Sequence, residues 1–180
     1  MSSADSRRGA LDAIRAVHAE IDEAAKSLAQ VHAERLQCRR GCSACCVDDL
    51  TVTRIEAERI RSAHAELLAN GAPHAPGACA FLDGDEACRI YADRPQVCRS
   101  QGLPLRSLFE NEVGEIEERR DICPLNAEGG PSLESLGEDQ FWLVGPFELK
   151  IQQLDDALGG DEWQGDDGRV ALRDLFERLG

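Results

Sequence analysis

The 180-residue chain predicts an α+β fold that is mostly helical: a small, irregular single domain with short strands or hairpins around a cysteine metal site. Three observations carry that expectation. Apolar residues recur at helical spacing toward both ends of the chain. The middle is broken by Gly, Pro and Asp-Gly turn signals between short apolar runs. Four of the eight cysteines fall within nine residues, Cys38-Arg39-Arg40-Gly41-Cys42-Ser43-Ala44-Cys45-Cys46, where a packing segment would supply apolar bulk instead of thiols and arginines. Gly41 is free to take a left-handed turn in that loop. At 42% hydrophobic content one core is expected rather than two. The organisation reads as an N-terminal amphipathic helix (1–37), a cysteine-cluster metal-binding core (38–126), and a C-terminal loop and helices packing on the core (127–180).

Taken in order, residues 10–36 read as a long helix, with Ile14, Ile21 and Leu28 at seven-residue intervals and Val17, Ala24 and Val31 three places on. So few heptads favour one helix packed on a core over a coiled coil, with a protein partner or homodimer through this helix as the other reading. Val47–Val52 is a connector or short strand, and Thr53-Arg54-Ile55-Glu56 is a capping box that starts a helix to about Ala69, ended by Asn70-Gly71. Pro73, Pro76 and Gly77 mark a turn segment. Cys79–Leu82 and Ala87–Tyr91 flank Asp83-Gly84-Asp85-Glu86, a hairpin signal that puts Cys88 and Ile90 on one face. Arg94-Pro95 opens a helical turn through Cys98-Arg99. Edge strands are expected at 102–105 and 115–122, a loop at 127–140, a helix over Phe147–Leu158 with Leu149 or Lys150, Leu154 and Leu158 on neighbouring turns, and a last helix over Arg169–Leu179. Trp142, Phe147 and Trp163 are expected to pack rather than to form a cofactor platform.

A net charge of −14 argues against nucleic acid or an anionic membrane surface as partner, because both require a concentrated basic face. The twin Arg7-Arg8 is followed by residues too polar for a signal sequence, and no run of about 18 apolar residues could cross a bilayer. A cytoplasmic location is the expectation, and there reduced thiols favour metal ligation over disulfides.

Soft thiolates select zinc or an iron–sulfur cluster, and eight of them match two four-ligand sites. A single cluster with the remaining thiols structural or redox-active is the other count. Neighbouring side chains are expected to diverge, so the Cys45-Cys46 pair points to two sites or to one outer thiol. Arg39, Arg40, Arg89, Arg94 and Arg99 flank cysteines in an acidic chain and could balance the negative charge of thiolate-bound metal, with two or three of them expected to be ordinary exposed arginines. His18, His32, His64 and His74 are expected to pack or to lie at the surface, His74 being the best placed for ligation. Cys38-x3-Cys42-x2-Cys45 also has radical-SAM spacing, but no strand–helix repeat follows it, and Ala44 stands where that family usually has an aromatic residue.

Cys38-x3-Cys42-x2-Cys45-Cys46, then Cys79, then Cys88-Arg89-Ile90-Tyr91-x2-Arg94-Pro95-x2-Cys98-Arg99, then Cys123-Pro124, resembles the bacterial and archaeal CxxCxxCC cysteine-cluster family, described as zinc- or iron-chelating. The resemblance covers about residues 38–126. It places Cys38, Cys42, Cys45, Cys46, Cys79, Cys88, Cys98 and Cys123 on family positions as metal residues, with a first gap of three residues where the family label has two. It implies a metal-binding protein with a structural, redox or metal-handling role. Flagellin lysine N-methylase is similar across the same signature, which admits a cluster-dependent enzyme of methyl transfer or redox chemistry. Against an enzyme, the sequence has no Gly-rich cofactor fingerprint and no nucleophile–base motif.

Overall fold

The structure is a computed structural model that describes residues 3–157 and 168–177. In chain order it contains α1 (Ser3–Val31), β1 (Thr51–Thr53), α2 (Arg54–Ala63), α3 (Ala65–Asn70), α4 (Gln96–Arg99), β2 (Leu105–Glu110), β3 (Ile116–Asp121), β4 (Trp142–Leu143), α5 (Pro146–Ala157) and β5 (Arg169–Ala171), with short 3-10 turns between them. This is the expected small, mostly helical α+β fold. No helix among the described residues is long and apolar enough to cross a membrane.

α1 begins earlier and ends earlier than the 10–36 expected from sequence. Ile14, Ile21 and Leu28 are buried as expected, but the row beside them is Leu11, His18, Ala25 and His32, one position on from the expected Val17, Ala24 and Val31. Val17 is also buried, whereas Ala24 and Val31 are exposed. The buried row alternates three- and four-residue steps, so it forms one stripe even though two histidines interrupt its apolar character.

The chain forms two compact units. The first is drawn from Met1–Val17, Arg39–Pro95 and Ile151–Gly180. Its core joins Val52, Ala57, Ile60, Phe81, Leu82, Ile90, Leu172 and Leu175 with Cys79. The rings of Phe81 and Phe176 lie 4.9 Å apart. The capping box forms, Glu56 Oε2 accepting the Thr53 N–H at 3.3 Å and its hydroxyl at 3.0 Å. Asp155, buried on α5, accepts the Ile55 N–H at 2.7 Å and Arg54 Nε at 3.0 Å, so the start of α2 has two carboxylates on its positive end.

Two helix expectations in this unit are corrected. The helix expected to run unbroken to about Ala69 breaks at His64, whose backbone leaves the helical region and whose Nε2 is held at 3.0 Å by Asp93. The last helix is instead β5 followed by a 3-10 turn, Arg173–Phe176. β5 pairs antiparallel with β1, Val170 opposite Val52, so tertiary pairing overrides a helical pattern built on the β-branched Val170. The buried face of α5 is Ile151 and Asp155, while Leu149 and Lys150 are exposed. Leu158, Trp163 and Leu179, which also figured in these expectations, lie outside the described residues.

The second unit is drawn from His18–Cys38 and Gln96–Lys150. Its sheet has the order β3-β2-β4, with β2 and β3 antiparallel and β2 and β4 parallel. β2 starts where the expected 102–105 strand ends and is central rather than an edge. Gly102 and Pro104 explain the displacement, since one has a positive φ and the other lacks the N–H a ladder needs. Trp142 and Phe147 stack at 5.3 Å, a packing role as expected. His32 Nε2 lies 2.7 Å from Gln140 O, and the Arg35 guanidinium is buried against Gly130, donating to Pro131 O.

Candidate metal centre

In the first unit the cysteine loop is folded by two local turns, Cys42 N–H to Arg39 O at 2.9 Å and Cys46 N–H to Ser43 O at 2.8 Å, with Gly41 left-handed at φ 81°. Only a residue without Cβ takes that conformation cheaply. The loop lies against the 83–88 turn: Ser43 Oγ donates to Glu86 Oε2 at 2.8 Å, and a Cβ on Gly41 would stand 3.4 Å from Asp85 O. Cys79 N–H donates to Cys46 O at 2.9 Å, joining the loop to the next cysteine.

Residues 79–90 form the expected hairpin, closed by the Leu82–Cys88 bridge, Asp83 N–H to Ala87 O and Arg89 N–H to Phe81 O, both at 2.9 Å. The left-handed residue of its turn is Glu86 at φ 58°. The hairpin gives two cysteines the same surroundings. The Phe81 amide favours the thiolate of Cys79, and the Ile90 amide, also two residues on, favours that of Cys88. Burial pushes both thiols up. Opposing it are those amides, the charges of Arg173 and Arg89 at Cys79, and the charges of Arg94 and Arg89 at Cys88. Asp48 adds to the rise at Cys79, and Cys79 to the rise at Cys88. A bound cation would remove the burial penalty, and the amides already favour the thiolate.

Cys45 and Cys46 influence one another. The neighbouring Cys46 thiol, with the Cys45 amide, outweighs burial and lowers the Cys45 thiol to about 6. The turn at Ser43 overrides the alternation that holds in an extended strand.

Arg173 was not singled out from the sequence. Its Nε donates to Asp48 Oδ1 at 2.7 Å, its Nη1 to His74 O at 2.7 Å and its Nη2 to Ala78 O at 3.0 Å. It thereby ties the segment after Cys46 to the segment before Cys79. Asp48, so close to Cys46, was the available signal. Of the five arginines that were singled out, Arg89 donates to Ala72 O and Ala80 O and lies over the Phe176 ring, while Arg94 lies over Tyr91. Their positive charge reaches Cys88 as expected, through space. His74 is partly exposed, with Nδ1 3.1 Å from Ala75 O.

The second unit holds Cys38, Cys98 and Cys123. Cys98 lies on α4, next to Arg99, which is buried and donates to Asp22. Cys123 precedes a 3-10 turn, Pro124–Asn126, in which Asn126 N–H returns to Cys123 O at 2.8 Å. Asn126, also not singled out from the sequence, is buried and donates from Nδ2 to Cys38 sulfur at 3.5 Å.

None of the eight cysteines, all among the described residues, is in a disulfide. The first unit brings Cys45 to Cys46 and sets Cys79 near Cys88, with Cys46, Cys79 and Cys88 bordering one apolar cluster. Among the described residues no three His, Cys, Asp or Glu side chains stand together as a group that could hold a metal ion. The fit to a soft metal lies in the donors: sulfurs that lie near main-chain amides and positive charge in the first unit, and one that receives a side-chain N–H in the second.

No curated protein and no solved structure matches the chain. Residues 37–124 match the model of the CxxCxxCC family, described as "putative zinc- or iron-chelating domain". That segment opens one residue before Cys38 and spans all eight cysteines, and zinc or iron is the cofactor class their chemistry selects. Over residues 37–124, the chain is similar to the CxxCxxCC family of zinc- or iron-chelating domains.

Proposed function

We propose that this is a cytoplasmic metal-binding protein whose eight cysteines hold zinc or an iron–sulfur cluster. Cys42, Cys45, Cys46, Cys79 and Cys88 are the candidate ligands that lie in one unit, and Cys38, Cys98 and Cys123 those that lie in the other. The observation that carries the reading is the hairpin that sets Cys79 and Cys88 beside one apolar cluster inside the matched segment, where a main-chain amide two residues on and nearby arginine charge favour each thiolate. Sulfur is a weak acceptor as a thiol and a stronger one as a thiolate, so main-chain amides beside a buried Cys79 and a half-buried Cys88 suit a metal-bound anion.

The role is structural, redox or metal handling. Metal supplies the charge that lets buried thiols ionise, and its binding releases protons and stabilises the fold together. Anaerobic purification with metal and acid-labile sulfide analysis tests the reading. Iron, sulfide and absorption near about 400 nm would identify a cluster. Zinc alone, even after anaerobic reconstitution with iron and sulfide, would leave only the zinc form of the proposal. A protein that takes up neither would refute it.

A further inference from the structure

Asn126 is fully buried, and its side-chain amide is held at both ends. Oδ1 accepts the Gln37 N–H at 2.8 Å, and Nδ2 donates to the Gly102 carbonyl at 2.8 Å. A main-chain N–H only donates and a carbonyl only accepts, so these partners fix which end of the amide is nitrogen. With one Nδ2 hydrogen on Gly102 O, the other is directed at Cys38 sulfur, 3.5 Å away. Gly102 makes room for this arrangement: at φ 94° a Cβ would overlap Cys38 sulfur and stand 3.1 Å from Asn126 Nδ2. Cys38 itself is exposed, so the amide backs its sulfur from the buried side and leaves another side open.

A buried N–H directed at a neutral thiol gains little, because the thiol is a weak acceptor. The same N–H directed at a thiolate forms a charge-assisted bond. We infer that Asn126 is a positioning residue for a metal-bound Cys38, holding the sulfur by an Nδ2–H···S bond and drawing electron density from it. The inference rests on the proposed metal-binding function and adds a specific ligand atom with its supporting group. Outer partners of this kind typically change metal affinity by about 10- to 100-fold when removed, and they set how strongly a sulfur donates to its metal.

The full-length wild-type protein loaded with cadmium-113 gives the first test. Scalar coupling is expected from cadmium to the Cys38 Hβ protons and, across the hydrogen bond, to an Asn126 Hδ2 proton. Coupling to Cys38 without coupling to Asn126 overturns the inference and leaves the proposed function standing. So does coupling to other cysteines but not Cys38. A protein that binds no cadmium overturns both. The second test uses Asn126→Asp and Asn126→Leu loaded with cobalt(II). At full cobalt stoichiometry the thiolate-to-cobalt band should move to longer wavelength, and affinity should fall by about tenfold or more. Lowered melting with the band unmoved would make Asn126 merely structural. Should neither variant fold, the cadmium experiment on the wild type still decides.

Discussion

Phe81 links the packing of the first unit to its cysteines, and truncating it gives the sharpest test of that link. The ring is fully buried, lies 4.9 Å from Phe176 and belongs to a residue whose amide favours the Cys79 thiolate and whose carbonyl accepts the Arg89 N–H at 2.9 Å. Phe81→Ala removes a buried ring and one aromatic pair, a change expected to cost about 3–5 kcal/mol. That is a large part of the roughly 5–15 kcal/mol that holds a domain together. Phe81→Leu keeps most of the volume and should cost about 1–1.5 kcal/mol. Urea unfolding of the reduced, metal-free protein followed by circular dichroism reads both. Because either variant retains the Phe81 amide, the thiolate-to-metal band of cobalt-loaded Phe81→Leu should coincide with that of the wild type. Phe81→Ala should lose metal affinity only through its linkage to folding. A loss below about 1 kcal/mol for Phe81→Ala would refute the placement of the ring in the core. A displaced band in Phe81→Leu would refute the separation of side-chain packing from the sulfur-directed amide.

Three further outcomes follow from named contacts. Asp155→Ala strips the buried acceptor from the Ile55 N–H and from Arg54, and should lower stability by about 2–4 kcal/mol in the same urea assay, with Asp155→Asn recovering part of it. At Asp93, burial pushes the carboxyl up, but Arg59, by hydrogen bond and charge, and then His64 outweigh it and hold the group below the ordinary carboxylate range. A value depressed in the folded state stabilises above that range and ceases to as pH falls through it, so the urea midpoint of Asp93→Asn should lie below that of the wild type near neutrality and converge with it in acid. In the reduced, metal-free protein Cys45 should alkylate with an apparent value of about 6, and Cys46→Ala should move that value up; mass-spectrometric mapping of iodoacetamide labelling against pH checks both.

What could be read from sequence was local. The Thr53–Glu56 capping box, the Asp-Gly hairpin between Cys79 and Cys88 and the turn at Gly41 depend on residues a few positions apart, and all three form. The Ile14, Ile21 and Leu28 row was legible because three large apolar residues mark it, whereas the adjoining row was misplaced by one because His18 and His32 occupy it. Ala24 and Ala25 look alike in sequence, and only packing distinguishes them. Arg169–Ala171 carries a helical apolar period, yet its conformation is decided by Thr51–Thr53, more than a hundred residues away. The eight cysteines announced soft-metal chemistry. Their supporting groups did not announce themselves, since Arg173 and Asn126 act across long chain separations and the Phe81 and Ile90 donors belong to the main chain, which has no side-chain signature.

The discontinuity of the two units separates the boundary of the family from the boundary of folding. Residues 37–124 end before Leu172 and Leu175, which complete the core of the first unit, and before β5, the partner of β1. They also end before β4, the parallel neighbour of β2, and begin after the stretch of α1 that carries Ile21 and Leu28 and after His32. An excised 37–124 fragment would expose both interiors at once. The recognisable cysteine segment is thus not an autonomous module. It is a set of ligands suspended between flanking sequences, and those flanks, whatever their own variability, are bound by the requirement to close two cores around it.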